Sequence, residues 1–181
     1  MACAEHIALV GPTGAGKSSI GRALADLLGR PFVDLDHAIE ATAGARVALI
    51  FEHEGESGFR RRESEALARA LAAPLPSLIA CGGGVVLDPG NRARLREHAL
   101  VVHLAATIEE QLGRLARDRQ RPLLQVPDRR ARLESLAEQR EPLYGATAHL
   151  RFHPSGPPAQ AARALAGLLA RPDTATTGGM P

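Results

Sequence analysis

The segment that most constrains the fold of this chain is GPTGAGKS, which runs from Gly11 to Ser18 and matches the pattern GxxxxGK[ST] of phosphate-binding loops. An apolar stretch precedes it, and apolar residues recur at helical spacing after Lys17. A glycine-rich loop between a strand and a helix directs backbone N–H groups at phosphate oxygens, while its lysine reaches the β and γ phosphates and its serine ligates Mg²⁺. A turn that binds nothing is the alternative, but the strand–loop–helix context favours a nucleotide site. The nucleotide-binding residues predicted in the loop are Gly14, Ala15, Gly16, Lys17 and Ser18.

The apolar segments along the rest of the chain predict an α/β fold. Short apolar strands alternate with amphipathic helices throughout. Strands are predicted at about residues 7–10, 31–35, 78–81, 100–104 and 148–152. Helices are predicted at about residues 17–28, 36–43, 47–54, 58–72, 89–97 and 158–170. This order predicts a five-stranded parallel sheet flanked by helices on both faces.

The chain is long enough for one domain, and no linker or internal repeat divides it. We expect a single domain over residues 1–171. A mobile lid loop is expected at about residues 112–126, because the stretch DRQRPLLQVPD in this region is neither an apolar strand nor a clean helix. Residues 172–181 are expected to be disordered.

Cysteine content and charge exclude several classes of protein. Cys3 and Cys81 are too few for a disulfide framework and too far apart for a CxxC zinc site, which favours a reducing compartment. No apolar run approaches the ~18 to 20 residues of a membrane span, and no signal peptide is recognisable. A net charge of +2, no tryptophan and one tyrosine argue against a general nucleic-acid binder. We therefore expect a cytoplasmic protein that binds neither membrane nor nucleic acid.

Arginine dominates the basic residues. Lys17 is the only lysine among 22 Lys and Arg residues, and seven arginines fall between Arg114 and Arg132. This arginine-rich segment is solvated surface, a patch for nucleic acid, or a lid over a triphosphate. A lid fits best, because arginine neutralises phosphate charge without losing its proton, and closure excludes water from the transfer.

Acidic residues and glycines follow two of the predicted strands. Asp34 and Asp36 end the second strand, and we expect their side chains on opposite sides, one for a metal and one for a substrate. We assign Asp34 to an outer-sphere Mg²⁺ contact, and the alternative for Asp36 is that it only caps the next helix. Gly82–Gly84 follow the third strand, and they either bring the backbone close to a ligand or form a flexible turn. The seven histidines show no metal-ligand spacing, and we interpret them as structural.

Several motifs occur in an order that is typical of one family. They are GPTGAGKSSIGRALA, the acid pair in FVDLD, IFEHEGESGFRRRE, CGGGVV, RPLL in the predicted lid, and REPLY. Over about residues 5–170 the chain resembles the shikimate kinases. The resemblance implies a P-loop kinase fold of the nucleoside monophosphate kinase type. It also implies ATP-dependent phosphorylation of the 3-hydroxyl of shikimate, on the route to chorismate and the aromatic amino acids, by an enzyme that uses Mg²⁺ and that we expect to be a monomer.

The resemblance assigns roles to individual residues. Asp36 orients the reacting hydroxyl, with or without accepting its proton, and Arg121 in the lid reaches the transferring phosphate; with Lys17 they form the implied catalytic set. The implied shikimate-binding residues are Asp36, Arg60, Gly82, Gly83, Gly84 and Arg140, with Glu63 holding a substrate-facing arginine in place. The implied ATP-binding residues are those of the loop together with Ser19, Arg114 and Arg121, and the metal-binding residues are Ser18 and Asp34.

Two other functions are compatible with parts of this pattern. Another small P-loop kinase, for gluconate or a nucleoside monophosphate, shares the fold, and the fold does not determine the acceptor. A fork of Arg60 and Arg140 that binds a carboxylate suits a carboxylated polyol. Gluconate is also a carboxylated polyol, so the choice between shikimate and gluconate rests on the family motifs. A nucleotide-binding regulator or RNA-binding protein would leave the acid pair and the glycine triplet without a role. Whether Pro157 or Pro158 faces the adenine is open.

Overall fold

A five-stranded parallel sheet lies at the centre of the protein. The computed structural model describes residues 5–116 and 125–170. The strands are β1 (His6–Val10), β2 (Phe32–Asp34), β3 (Leu78–Ala80), β4 (Ala99–Leu104) and β5 (Leu150–Phe152). Neighbouring strands are parallel, in the order β2-β3-β1-β4-β5. The predicted sheet is confirmed.

Helices connect and cover the strands. They are α1 (Lys17–Leu28), α2 (Leu35–Ala43), α3 (Val47–Leu71), α4 (Pro89–His98), α5 (Ile108–Leu115), α6 (Arg129–Thr147) and α7 (Pro158–Leu169), with a 3-10 turn at Val85–Leu87. The two helices predicted on either side of Gly55 are joined into α3, which breaks at Gly55 because this residue has a non-helical backbone. The sequence did not predict α5 and α6, whose apolar stripes are narrow and meet around Leu115 and Leu133.

The predicted lid overlaps α5, because this helix continues to Leu115. Residues 117–124, which include Arg121, and residues 171–181 lie outside the described residues. The mobility of the lid and the disorder of the C-terminal tail therefore stay predictions. None of the helices within residues 5–116 and 125–170 has the length and apolar character that crossing a bilayer requires.

Both faces of the sheet are covered, because successive side chains of a strand point to opposite sides. In β1, Ala8 and Val10 join a buried apolar cluster formed with α2, α3, α4 and α6. Ile7 and Leu9 join a second cluster, formed with α1 and α7. A central parallel strand buried in this way needs a continuous apolar run, which is what the sequence has before the phosphate loop.

The carboxyl ends of the strands meet at one edge of the sheet, since all five strands run in the same direction. The phosphate loop follows β1, Asp34 ends β2 and the glycine triplet follows β3. Open α/β sheets bind their ligands outside this edge. The topology therefore brings together motifs that are far apart in the sequence.

Candidate active site

Two adjoining cavities open at the carboxyl edge of the sheet. The first, of about 450 Å³, is lined by Arg60, Glu63, Arg140 and Tyr144, and we call it the arginine cavity. The second, of about 480 Å³, is lined by residues 14–20 of the phosphate loop and α1, and we call it the loop cavity. Both cavities are lined by Ser18, Asp34, Asp36, Gly82 and Gly83. Two ligands bound side by side would meet at these shared residues.

The phosphate loop forms one wall of the loop cavity and leads directly into α1. Lys17 is the first residue of this helix, and its Nζ donates hydrogen bonds to the carbonyl oxygens of Gly11 and Pro12, each at 2.8 Å. Its ammonium group is therefore held over the loop. The backbone N–H groups at the start of α1 add positive potential, so the loop cavity suits an anion such as a phosphate.

Asp34 and Asp36 lie where β2 passes into α2. Asp34 is the N-cap of α2, and its Oδ1 accepts hydrogen bonds from the backbone N–H groups of Asp36 (3.1 Å) and His37 (3.3 Å). The alternative in which Asp36 caps the helix is therefore wrong. The expectation of side chains on opposite sides is also wrong, because residues two apart in a strand share a face, and both aspartates line both cavities.

Oxygen donors suited to Mg²⁺ lie where the two cavities meet. The Ser18 hydroxyl and the carboxylates of Asp34 and Asp36 all line this region, and Mg²⁺ prefers oxygen ligands. Within residues 5–116 and 125–170, no three His, Cys, Asp or Glu residues cluster closely enough to hold an ion by themselves. The residues fit an ion that takes most of its ligands from water and phosphate, as Mg²⁺ does.

Arg60 on α3 is held from two sides. Its Nη1 donates to Oε2 of Glu63 at 2.6 Å, and its Nη2 donates to Oε1 of Glu56 at 3.1 Å. Burial lowers the pKa of Arg60, but the two carboxylates outweigh this effect and leave the pKa raised. Glu63 therefore holds Arg60 at the cavity wall, as expected, and Glu56 is a second partner that sequence reasoning missed.

Glu63 and the glycine triplet fit closely together. Glu63 is 1% exposed, and its Oε1 has no hydrogen-bond partner among the described residues. Burial raises the pKa of Glu63, while Arg60 opposes this shift. A Cβ atom at Gly82 would lie 2.2 Å from this Oε1, and one at Gly84 would lie 2.3 Å from Cζ of Arg60. The triplet therefore makes room for the buried ion pair as well as for any ligand.

Arg140 and Tyr144 contribute from α6. Arg140 is 8% exposed, and burial lowers its pKa while the nearby Tyr144 opposes this shift. Its Nε has no partner among the described residues, so a bound anion can satisfy it. The Tyr144 hydroxyl donates to the carbonyl oxygen of Gly83, and burial raises the pKa of Tyr144 to about 12. Sequence reasoning assigned Tyr144 no role, although it is the only tyrosine and lies one helical turn after Arg140.

Arg114 and Pro158 line the loop cavity but not the arginine cavity, and we call this part the far end of the loop cavity. Nη1 of Arg114 donates to the carbonyl oxygen of Gly14 at 2.9 Å, which places Arg114 beside the phosphate loop, and its contact with the adenine stays a prediction. Pro158 lines this cavity, together with Pro154 and Gly156. Pro157 is not among its lining residues, so Pro158 is the better candidate for a contact with the adenine.

Glu110 on α5 connects this end of the loop cavity to the segment after β5. Its carboxylate accepts from the backbone N–H of Thr107 at 2.7 Å and lies 3.0 Å from Nε2 of His153, while its Oε1 lies 3.7 Å from Nη2 of Arg114. Hydrogen bonds from Thr107 and His153 lower the pKa of Glu110 to about 2. Sequence reasoning missed Glu110, although the TIEE stretch is a visible capping box.

Comparison with known proteins identifies the family. Residues 13–169 match the family model described as shikimate kinase. The chain belongs to the shikimate kinase family. A shikimate kinase of Stenotrophomonas maltophilia strain K279a is 53% identical over 141 residues, which cover 78% of each chain. The structure of a shikimate kinase from Acinetobacter baumannii in complex with shikimate is 42% identical, covers 91% of this chain and 92% of that one, and superposes with a TM-score of 0.88.

The wider P-loop kinases share the fold at lower similarity. A gluconokinase from Sinorhizobium meliloti is 22% identical and superposes with a TM-score of 0.61 over 92% of each chain, which shows a shared fold alone. The resemblance seen in the sequence is confirmed, and the protein is a kinase with the P-loop fold expected for it. The structure brings together all the site residues implied for the shikimate kinase family except Arg121, which lies outside the described residues.

Proposed function

We propose that this member of the shikimate kinase family transfers the γ-phosphoryl group of ATP to the 3-hydroxyl of shikimate, giving shikimate 3-phosphate and ADP. The observation that carries the proposal is the pair of adjoining cavities. One presents a phosphate loop, and the other presents the buried Arg140 and the partly buried Arg60. Because the cavities meet at Asp34, Asp36 and Ser18, a phosphoryl donor and a hydroxyl acceptor can lie in contact there.

Arg60 and Arg140 bind the carboxylate of shikimate in this proposal. Both guanidinium groups line the arginine cavity, and Arg140 has an unsatisfied Nε. Planar guanidinium forks match carboxylate geometry, and two of them orient a small acid more strictly than one. Glu63 stays ion-paired with Arg60. Among the described residues, no carboxylate lies within hydrogen-bond reach of Arg140, so Arg140 supplies the positive charge for the carboxylate of shikimate.

Asp36 acts on the acceptor hydroxyl. It lies in the first turn of α2, where its carboxylate faces the junction of the two cavities. A carboxylate there accepts a hydrogen bond from a substrate hydroxyl and fixes it in line with the donor phosphate. Phosphoryl transfer depends mainly on such positioning and on charge stabilisation. Asp36 therefore contributes to the transfer whether or not it accepts the proton of the hydroxyl.

Lys17 and the loop backbone stabilise the charge that develops on the transferring phosphoryl group. Ser18 and Asp34 would hold Mg²⁺, with Asp34 as an outer-sphere contact, and the ion would supply positive charge that offsets the charge of the phosphates. Arg121, from the lid, adds a further positive charge. Arg114 and Pro158 contact the adenine of ATP at the far end of the loop cavity.

The same proposal describes a monomer that works in the cytoplasm and binds no nucleic acid. An RNA-binding protein would not need an ion pair buried beside a glycine triplet, and its binding would persist in Lys17→Ala and weaken with salt. Gluconate is the closer alternative, because it also combines a carboxylate with hydroxyls. The similarity to shikimate kinases is much higher than that to the gluconokinase.

A coupled assay of ADP release with shikimate, gluconate and AMP as separate acceptors tests the proposal. We expect turnover with shikimate and at most background with the other two. Activity only with gluconate or AMP would overturn the proposed acceptor. Omission of Mg²⁺ should abolish turnover while shikimate binding, followed by calorimetry, persists.

A further inference from the structure

A break divides α3 into two halves that both line the arginine cavity. Gly55 has φ 69° and ψ −176°, so the helical hydrogen-bond pattern stops there and resumes after it. The first half carries Val47 and Phe51 to the cavity, and the second half carries Phe59 and Arg60. The shape of the cavity wall therefore depends on the angle between the two halves.

A pair of charged side chains spans this break. Arg62 donates from Nε to both carboxylate oxygens of Glu54, at 3.2 and 2.9 Å, and from Nη2 to Oε1 at 2.6 Å. Residues eight apart in an unbroken helix are about 12 Å apart along its axis, so this contact exists only because the helix bends at Gly55. The pair is thus specific for the bent form of α3.

The neighbouring backbone is shaped to allow the pair. A Cβ atom at Gly58 would lie 2.4 Å from Cβ of Glu54, so a larger residue would force the two halves apart. Gly55 adopts a positive φ that other residues rarely adopt. The hydrogen bond from Arg62 also lowers the pKa of Glu54, so its carboxylate is charged at neutral pH.

Two aromatic rings meet on the cavity side of the same bend. The centroids of Phe51 and Phe59 are 4.6 Å apart, with an angle of 33° between the rings. Phe59 is buried and is followed directly by Arg60. Neither Glu54 nor Arg62 lines the cavity. Any influence of the charged pair on a ligand must therefore pass through the position of these rings and of Arg60.

We propose that Glu54 and Arg62 are positioning residues that hold the two halves of α3 at the angle in which Phe51, Phe59 and Arg60 form the acceptor wall, and so set the affinity for shikimate. The proposal rests on the proposed function. Without the pair, α3 spends part of its time at other angles, and the apparent dissociation constant for shikimate rises in inverse proportion to the fraction of protein that stays in the competent form. ATP binds in the loop cavity, on other elements, so its affinity should not change.

The test uses Arg62→Met, Glu54→Gln and the double variant, with Arg61→Met as the matched control. Arg61 is the exposed neighbour of Arg62, and its replacement removes one arginine while the hydrogen bonds between Arg62 and Glu54 remain. The dissociation constant for shikimate is measured by calorimetry, and KM for each substrate and kcat are measured by ADP release. We expect each single variant to raise the dissociation constant and KM for shikimate about 5-fold, with the KM for ATP unchanged.

Two further results distinguish positioning from simple stabilisation. The double variant should lose about as much affinity as either single variant, because both remove the same interaction. The exchange variant, Glu54→Arg with Arg62→Glu, should recover part of the affinity for shikimate. Thermal unfolding of every variant shows whether it is folded at the assay temperature, and Glu54→Gln, the smallest change, serves if Arg62→Met does not fold.

Unchanged shikimate affinity in folded Arg62→Met or Glu54→Gln would overturn the proposal, even if these variants unfold at lower temperature. An equal loss in Arg61→Met would also overturn it, since the effect would then follow net charge. If the wild-type protein does not bind shikimate, the proposed function and this proposal are both overturned. If the wild-type protein binds shikimate and the variants bind it equally well, this proposal alone is overturned.

Discussion

The two cavities differ in the groups that their basic side chains contact. In the loop cavity, the charged side chains contact backbone oxygens: Lys17 bonds to Gly11 and Pro12, and Arg114 bonds to Gly14. In the arginine cavity, charged side chains contact each other, as in the pair of Arg60 and Glu63. The phosphate-binding wall of the loop cavity is thus a short local segment, whereas the wall of the arginine cavity combines side chains from α3 and α6 with the glycine triplet after β3.

This difference predicts different responses to substitution. A loop whose geometry comes from its backbone presents a few groups that act directly on the phosphates, so loss of one should affect the rate of transfer. A cavity whose charged side chains bind the acceptor directly should instead lose acceptor affinity when one of these side chains is changed. The following variants test this contrast.

The largest effect is expected for Lys17→Arg. The Lys17 ammonium fits between two loop carbonyls at 2.8 Å, and a planar guanidinium cannot reproduce this compact contact. We expect kcat to fall by about a thousandfold while the affinity for shikimate is retained. ADP release under saturating substrates measures the loss, and calorimetry with shikimate is the control. A fully active variant would show that the single lysine is a matter of composition only.

A smaller effect with the opposite kinetic signature is expected for Arg140→Lys. The substitution keeps the charge but removes the planar fork that is buried in the arginine cavity. We expect the KM for shikimate to rise about 10- to 30-fold, which corresponds to loss of about one charge-assisted hydrogen bond, with little change in the KM for ATP. Arg114→Lys is the control and should affect ATP alone. Equal changes in both KM values would contradict the division between the cavities.

The fold was predictable from the sequence to a greater extent than the arginine cavity was. The run of apolar residues before Gly11 and the loop itself are local signals, because a buried parallel strand and a phosphate loop each impose a pattern on consecutive residues. α5 and α6 were not predicted, because their apolar faces are narrow and pack in part on each other.

The acceptor side required information that is not local. Physical reasoning could not choose Arg60 from three consecutive arginines, since the choice depends on Glu63 and on the space left by Gly84. The resemblance to the family supplied Arg60 and Arg140, but it supplied no role for Tyr144. The error over Asp34 and Asp36 is one of strand geometry, because residues two apart in a strand point to the same face.

Tyr144 offers a direct measurement of burial in the arginine cavity. Burial raises the pKa of its phenol from 10.0 to about 12, and because it is the only tyrosine, the absorbance of its phenolate reports this residue alone. Because the pKa of Tyr144 is raised in the folded state, the protonated phenol contributes its full share of folding stability below about pH 10. This contribution is lost as the pH rises towards 12. Tyr144→Phe should lack this alkaline loss and should cost about 1 kcal/mol of unfolding free energy at neutral pH, for the hydrogen bond to Gly83. Ionisation near pH 10 in a rapid pH jump on folded protein would contradict the burial.

The smallest effect is expected for Glu110→Gln at the far end of the loop cavity. Glutamine can still accept from the backbone of Thr107, but it loses the charge that pairs with His153 and faces Arg114. Because this region is partly exposed, we expect the KM for ATP to rise only about 2- to 3-fold, with the KM for shikimate unchanged.

The pH dependence of stability gives the second readout for Glu110. Its pKa is lowered from 4.5 to about 2, first by the hydrogen bond from Thr107 and then by His153. A carboxyl group whose pKa is lowered in the folded state stabilises that state above about pH 4.5, and this contribution disappears as the pH falls towards 2. The stability difference between wild type and Glu110→Gln should therefore shrink on acidification. A constant difference from neutral pH to pH 2 would mean that the charge of Glu110 does not connect these elements, and the loop cavity would then be held by its backbone alone.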